Sequence, residues 1–225
     1  TEIATGRLPL GTIAFLLIND LLWIVPLGRF LRATFQQYEA EHFQIDEQHS
    51  ELDPELLAQY QDQQQRNLID LSHGHPTLVV FLRHFGCTFC REAMAQLAED
   101  RAEIEHSGTR LVVIHQSEPA AADRFFAKYG LEDVARISDP ERKLYAHFDL
   151  KEGSWEQVFG WKSWLRGIPA FFRGHFIGRL QGNGYQMPGS FLVQDTTVLR
   201  AYRHSSAADR VDYCALAQPT AEPVA

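Results

Sequence analysis

Residues 77–90 read Thr77-Leu78-Val79-Val80-Phe81-Leu82-Arg83-His84-Phe85-Gly86-Cys87-Thr88-Phe89-Cys90, and a helical pattern follows from Arg91 to about His106. The β-branched and aromatic run predicts a strand over 77–83. Gly86 lets the chain bend tightly out of it, and the helix predicted over 88–107 stops at Gly108. Two thiols one helical turn apart at a helix start can exchange a disulfide reversibly, so redox chemistry is the first reading. The thiolate is the reactive form, and an ordinary cysteine has a pKa of about 8.5. Free N–H groups and the positive end of the helix dipole favour that anion. Arg83, His84 and Arg91 are close enough in sequence to add positive potential. Phe85 and Phe89 are placed to shield one sulfur while the other stays accessible, with Thr88 between the cysteines.

Outward from this stretch, strand and helix alternate. A strand is predicted over 109–115, a helix from Ser117-Glu118-Pro119 to Tyr129-Gly130, and a short strand over 134–137. Ser138-Asp139-Pro140 opens another helix through Tyr145 and Phe148. Near-continuous apolar strands separated by helices imply a sheet with parallel members covered on both faces. Residues 154–178 break the rhythm with Trp155, Phe159, Trp161, Trp164, Phe171, Phe172 and Phe176, interleaved with Lys162, Arg166 and Arg173. They read as an insertion whose aromatics complete the core, or as an amphipathic surface for a membrane or partner. Further on come a strand over 190–194, a hairpin turn at Asp195-Thr196, a strand over 197–203, and a last helix over 207–216 capped by Ser205-Ser206.

Before the strand at 77, residues 9–27 are almost wholly apolar, interrupted by Asn19 and Asp20 and flanked by Arg7, Arg29 and Arg32. The length suits a membrane span, but an Asp in mid-span is costly unless it faces protein or water. A buried or partner-docking helix is the alternative. The arginines after the run outnumber the one before it, which leans toward a cytoplasmic C-terminal portion. With no initiator Met, the first residues read as a processed or truncated end. Residues 30–43 continue as helix and 45–50 read as a linker. Asp53-Pro54 opens a Gln-rich helix whose Leu56, Leu57, Tyr60, Leu68 and Leu71 could dock on the domain.

The chain has 225 residues, 45% of them hydrophobic and 22% charged, with a net charge of -8. That composition is globular, and the negative balance gives no support to nucleic-acid binding. Three cysteines are too few for a disulfide scaffold and suit a reducing compartment where the pair cycles. Cys214 reads as a free thiol near the terminus, or as a resolving cysteine. A zinc-stabilised binding domain competes with the redox reading, but closed zinc sites need four ligands. His73 and His75 should emerge at the far end of the sheet from the cysteines. No metal and no other cofactor are therefore expected.

With FLRHFGCTFCRE, LVVIHQ, YQMPGSFLV and AYRHSSAADR in this order, the chain resembles the peroxiredoxin-like branch of the AhpC/TSA family, close to bacterial proteins related to selenoprotein L. The resemblance covers about residues 77–213. It implies an α/β thioredoxin-like fold, a central mixed sheet with helices on both faces, here with an N-terminal helical extension and an aromatic-rich helical insertion. It also implies a thiol redox function, with Cys87 and Cys90 as the redox pair and Pro188, after Met187, at the cis-proline position facing the active-site turn. Pro169 is a rival for that position. Typical members read P-x-x-x-T/S-x-x-C. With Cys90 as the peroxidatic residue, Cys87 stands at the Thr/Ser position and Arg83 at the Pro. The missing Thr shifts the expectation from efficient peroxidase toward thiol–disulfide exchange, and either cysteine can be aligned as the attacking thiol. Arg200 and Arg203 are candidates for an arginine near the sulfur.

The N-terminal GRLPLGTIAFLLINDLLWIVPLGRFL resembles the closing transmembrane segment of DoxX-like membrane proteins. The expected organisation is 1–50, apolar helix and linker and candidate membrane anchor; 51–76, docking helix; 77–216, redox domain with an insertion over 153–180; and 217–225, loose tail. The expected enzyme is a thiol-dependent oxidoreductase acting on a peroxide or substrate disulfide. A thioredoxin- or glutathione-type dithiol resets it, in the cytoplasm or at the cytoplasmic membrane face. A redox sensor without turnover is the alternative.

Overall fold

A computed structural model describes residues 44–159 and 182–218. The apolar run at 9–27, most of the aromatic insertion, Pro169 and the end of the tail lie outside the described residues. Thirteen elements are described, in the order β1 (Asp46–Glu51), α1 (Pro54–Ala58), α2 (Leu68–Ser72), β2 (Thr77–Phe81), α3 (Thr88–His106), β3 (Arg110–His115), α4 (Pro119–Ala127), β4 (Ala135–Ser138), α5 (Lys143–His147), α6 (Trp155–Phe159), β5 (Gly189–Gln194), β6 (Thr197–Arg203) and α7 (Tyr213–Ala217). The strands form one six-stranded sheet in the order β1-β6-β5-β2-β3-β4. β2, β3 and β4 run parallel, and β5, β6 and β1 are added antiparallel.

β2 is central and buried along its whole length. Its alternate residues therefore serve two cores. Val79 and Phe81 join Leu57, Leu68, Leu71, Tyr145, Phe148 and Phe191 on the face covered by α1, α2 and α5. α3 and α7 pack together on the other face. Phe81 anchors the first core edge-on to Tyr145 at 4.9 Å and to Phe191 at 5.6 Å. Such pairs add about 0.5–1.5 kcal/mol each beyond their buried area. The Tyr145 hydroxyl donates to the Leu82 carbonyl at 2.5 Å, tying this core to the end of β2.

Three sequence expectations are corrected. Most of the linker read over 45–50 belongs to the edge strand β1 at 46–51, so the sheet begins well before residue 77. The stretch Asp-Glu-Gln-His-Ser-Glu has no apolar alternation. It is held by pairing with β6, and a charged edge strand resists pairing with other chains. The Gln-rich helix is two short helices. Asp62 is buried and breaks it, accepting from the N–H groups of Gln64 and Arg66 and from the Arg66 guanidinium. Asn67 and Asp70 then form a capping box that starts α2. The last helix is α7, capped by Asp212, not a helix over 207–216 capped by Ser205-Ser206. Ser205 and Ser206 give their backbone N–H groups to Asp209, which closes a turn there. The start of α1 at Asp53-Pro54 and the end of α3 before Gly108 (φ +84°) are as expected.

Candidate active site

The chain leaves β2 into a turn closed by the Cys87 N–H donating to the His84 carbonyl at 3.0 Å. Cys87 is the N-cap residue of α3, and Cys90 lies in its first turn. Both are buried, and both are free thiols. Arg83, at the end of β2, is 4% exposed. Its guanidinium approaches Cys87 Sγ at 3.7 Å and also donates to the Gly184 carbonyl.

The two sulfurs sit in opposite electrostatic situations. The hydrogen bond from the Cys90 thiol, reinforced by Arg83 and by the N–H groups of Cys90 and Phe89, outweighs burial and draws Cys87 down to about 6. Burial first, and the neighbouring Cys87 second, push the Cys90 thiol well above the ordinary range. Arg83 and the helix N-terminus thus favour the anion on Cys87 and the proton on Cys90.

Cys87 is 7% and Cys90 4% exposed, but of the two only Cys90 lines a cavity. A cavity of about 30 Å³ is lined by Arg83, Phe89, Cys90, Pro188, Ser190, His204, Arg210 and Tyr213, among others. That is room for about one water-sized group. Ser190 Oγ and Arg83 Nε are buried without a hydrogen-bond partner. Arg210 is held at the rim by an ion pair with Glu92.

Among the expected residues, Phe89 and Pro188 line this cavity with Cys90. Gly86 is buried in the turn, with no left-handed φ. Thr88 is the first helical residue. Arg91 donates to the Phe85 carbonyl at 3.1 Å and pins the turn. Other placements differ from expectation. Phe85 stacks on Phe125 with ring centroids 4.1 Å apart, so its ring packs against α4. His84 is held neutral, its pKa lowered to about 4 by burial and then by Arg83 and Arg91, so it adds no positive potential at pH 7. Met187 turns its sulfur toward Gly153. Among the described residues no peptide bond is cis, so the Met187–Pro188 bond is trans. The trans chain enters β5 already bonded, with the Met187 N–H on the Lys151 carbonyl and the Pro188 carbonyl accepting from His204; trans is also the preferred isomer by about 0.5–1 kcal/mol.

Arg200 is away from the sulfurs. Its β6 position pairs with Leu192, while the cysteine end of the sheet is marked by Gly189 opposite Phe81. Arg200 bonds Glu47 at 2.8 Å and the carbonyls of Ala215 and Gln218. Arg203 lies over the Phe191 ring and donates to Phe148 and Gln48. Cys214 is raised to about 11 by burial and then by Asp100 and Glu103, whose positions in α3 lie about 15 Å or more along the axis from Cys90. His73 bonds Asp195 in the β5–β6 turn, at the opposite end of the sheet. Sequence reading missed Ser190, His204, Arg210 and Tyr213. For Ser190 a signal existed: two residues beyond Pro188 in an extended chain, it shares that residue's face.

Residues 96–206 match the family model described as AhpC/TSA antioxidant enzyme. Peroxiredoxin-like 2C of Homo sapiens is 34% identical over 77 residues, 34% of this chain and 34% of that protein. The chloroplastic thioredoxin-like protein AAED1 of Arabidopsis thaliana is 31% identical over 84 residues, 37% of this chain and 34% of that protein. The chain thus matches about a third of the length of these curated relatives. Peroxidoxin BcpB of Mycobacterium tuberculosis superposes with a TM-score of 0.53 at 15% identity, covering 76% of this chain and 94% of that one. The bacterioferritin comigratory protein of Xanthomonas campestris gives 0.50 at 17% identity, covering 71% and 88%. At those identities the likeness is one of fold. The family match begins inside α3, after Cys87 and Cys90.

Proposed function

We propose that the protein, whose residues 96–206 match the AhpC/TSA antioxidant enzyme model, is a thiol-dependent oxidoreductase cycling a Cys87–Cys90 disulfide. One observation carries the reading: two free thiols stand at the N-terminus of α3 with the Arg83 guanidinium 3.7 Å from Cys87 Sγ, an arrangement that favours the thiolate on Cys87 and the proton on Cys90. Nucleophile and resolving thiol are thereby distinguished before any substrate arrives.

With a hydroperoxide, the Cys87 thiolate attacks the distal oxygen, the O–O bond breaks, and the alkoxide or hydroxide leaves and takes up a proton. Cys87 becomes a sulfenic acid. The Cys90 sulfur displaces its oxygen as water, forming the intramolecular disulfide. With a disulfide substrate, the thiolate displaces one sulfur, and Cys90 resolves the mixed disulfide and releases the other. In both cases a thioredoxin-type dithiol, or two glutathione thiols, returns two electrons and two protons and leaves as a disulfide. A membrane anchor through residues 9–27 is supported by sequence pattern alone; among the described residues no helix is long and apolar enough to cross a membrane.

A second reading, first attack by Cys90, is favoured by the cavity that Cys90 lines and Cys87 does not. Cys87→Ser and Cys90→Ser, each treated with stoichiometric peroxide and a sulfenate trap, separate the two. The expected result is trapped sulfenate on Cys87 in Cys90→Ser and none in Cys87→Ser. The reverse pattern establishes the second reading, and absence of a Cys87–Cys90 bond in oxidised wild type defeats both. Repeated turnover with a dithiol reductant separates the enzyme from a one-time redox sensor.

A further inference from the structure

The Arg83 guanidinium is held against Cys87 by little. Among the described residues Nε has no partner, and the contacts of the group are Cys87 Sγ at 3.7 Å and the Gly184 carbonyl. The carbonyl belongs to a loop tied on one side by the Glu152–Gln186 bridge and by the Gly153 N–H on the Tyr185 carbonyl at 2.7 Å, and something must also fix it on the side of β3. Gln116, the residue after β3 and 5% exposed, does so from below. Its amide nitrogen donates to the Arg83 carbonyl, and its amide oxygen accepts from the Asn183 N–H at 2.9 Å. Gly182 sits on it so closely that a Cβ there would lie 2.9 Å from the Gln116 Cβ, at a φ of +97° that favours glycine. From outside, the Asn183 side chain donates to Glu152 at 2.6 Å, and Glu152 pairs with Arg142.

We propose that Gln116 is a positioning residue for the thiol chemistry: it joins the end of β2 to the loop at 182–185, so that the Gly184 carbonyl directs the Arg83 guanidinium onto Cys87. The inference rests on Cys87 being the thiolate of the pair. A buried amide that both donates and accepts can hold two backbone segments in one register, and an apolar side chain of the same length cannot. When the loop shifts, the guanidinium keeps no other anchor among the described residues.

The test is the pH profile of iodoacetamide alkylation in the reduced full chain, read at Cys87 and Cys214 separately by mass spectrometry. Gln116→Met removes the clamp from one side, and Gly182→Ala pushes the loop off it from the other. Each variant should raise the Cys87 midpoint by about one pH unit, with the Cys214 midpoint unchanged as the internal reference. A wild-type midpoint well below the ordinary cysteine range, together with unmoved midpoints in the variants, overturns the positioning role and leaves the proposed function standing. A joint shift of Cys87 and Cys214 also overturns it, since that is general loosening. A wild-type Cys87 midpoint in the ordinary range removes the thiolate assignment itself. Where Gln116→Met fails to fold, Gly182→Ala decides.

Discussion

Removing the charge of Arg83 should make the pH–rate profile of Cys87 cross that of the wild type. In Arg83→Met the cation 3.7 Å from Cys87 Sγ is lost. At an effective dielectric constant of about 20, a unit charge at that distance is worth about 4 kcal/mol, an upper bound. Opposite charges in contact commonly shift a pKa by about 1–3 units. The Cys90 hydrogen bond and the helix N-terminus survive, so a rise of about two units, from about 6, is the working value. A more basic thiolate is also a better nucleophile, with a Brønsted slope of about 0.4–0.5, so two units return about eightfold in intrinsic reactivity. At pH 7 the two effects nearly cancel. At pH 5 the variant should alkylate about tenfold more slowly, and at pH 9 about sevenfold faster.

The assay is site-resolved alkylation from pH 4 to pH 10, with Arg83→Lys as the variant that keeps the charge. Its profile should stay close to wild type at the low-pH end. Parallel profiles for wild type and Arg83→Met, displaced by a constant factor at every pH, would refute the electrostatic account. A single rate at pH 7 tests nothing, because that is where the curves meet.

Other expectations concern the rest of the molecule. His115 is buried against Phe85 and Phe126, and burial lowers its pKa from 6.5 to about 4. Below pH 6.5 the unfolded chain takes up a proton that the folded one refuses, so this stability is full above 6.5 and lost progressively toward 4. Urea unfolding should show a loss of about 2 kcal/mol from this residue between pH 7 and pH 5, and His115→Leu should flatten the acid limb by that amount; an unchanged slope would reject it. Arg200→Met should cost at most about 1 kcal/mol in its ion pair with Glu47 and leave the Cys87 alkylation midpoint in place. A moved midpoint would return Arg200 to the site.

The alternation of strands and helices from residue 77 and the place of the cysteine pair in it were legible because β2 announces itself: a buried central strand is a continuous apolar run, and it leads directly to Cys87. What was hidden lacks local pattern. β1 is polar because an edge strand needs partners more than a buried face, and its register depends on β6, far along the chain. The break in the Gln-rich segment depends on one buried carboxylate, Asp62, whose burial no neighbour in sequence foretells. At the site, arginines were judged by distance along the chain or by the family pattern. Arg200 pairs with Glu47 of β1, a strand not foreseen, and that pairing takes it away from the sulfurs. The packing of Phe85 was hidden for a related reason: its ring stacks on Phe125 of α4, a contact that exists only once the helix is laid over the turn.

The two cysteines are served by different parts of the sheet. Charge reaches Cys87 from the β2 side, through Arg83, and from β3 through Gln116. Space reaches Cys90 from the β5 side, through Pro188 and Ser190, and from the segment leading into α7, through Arg210 and Tyr213. These groups share Arg83 and little else, so substitutions at Gln116 and at Ser190 should act independently: the first on how readily the thiolate forms, the second on what can approach the pair. A site assembled this way can change its substrate through β5 without losing its nucleophile. It can also retune its nucleophile through β3 without closing its cavity. That separation fits a C-x-x-C in which the usual threonine is replaced by a second sulfur. The hydroxyl beside the cavity is then the Ser190 side chain of a different strand, and Cys87 itself occupies the threonine's place.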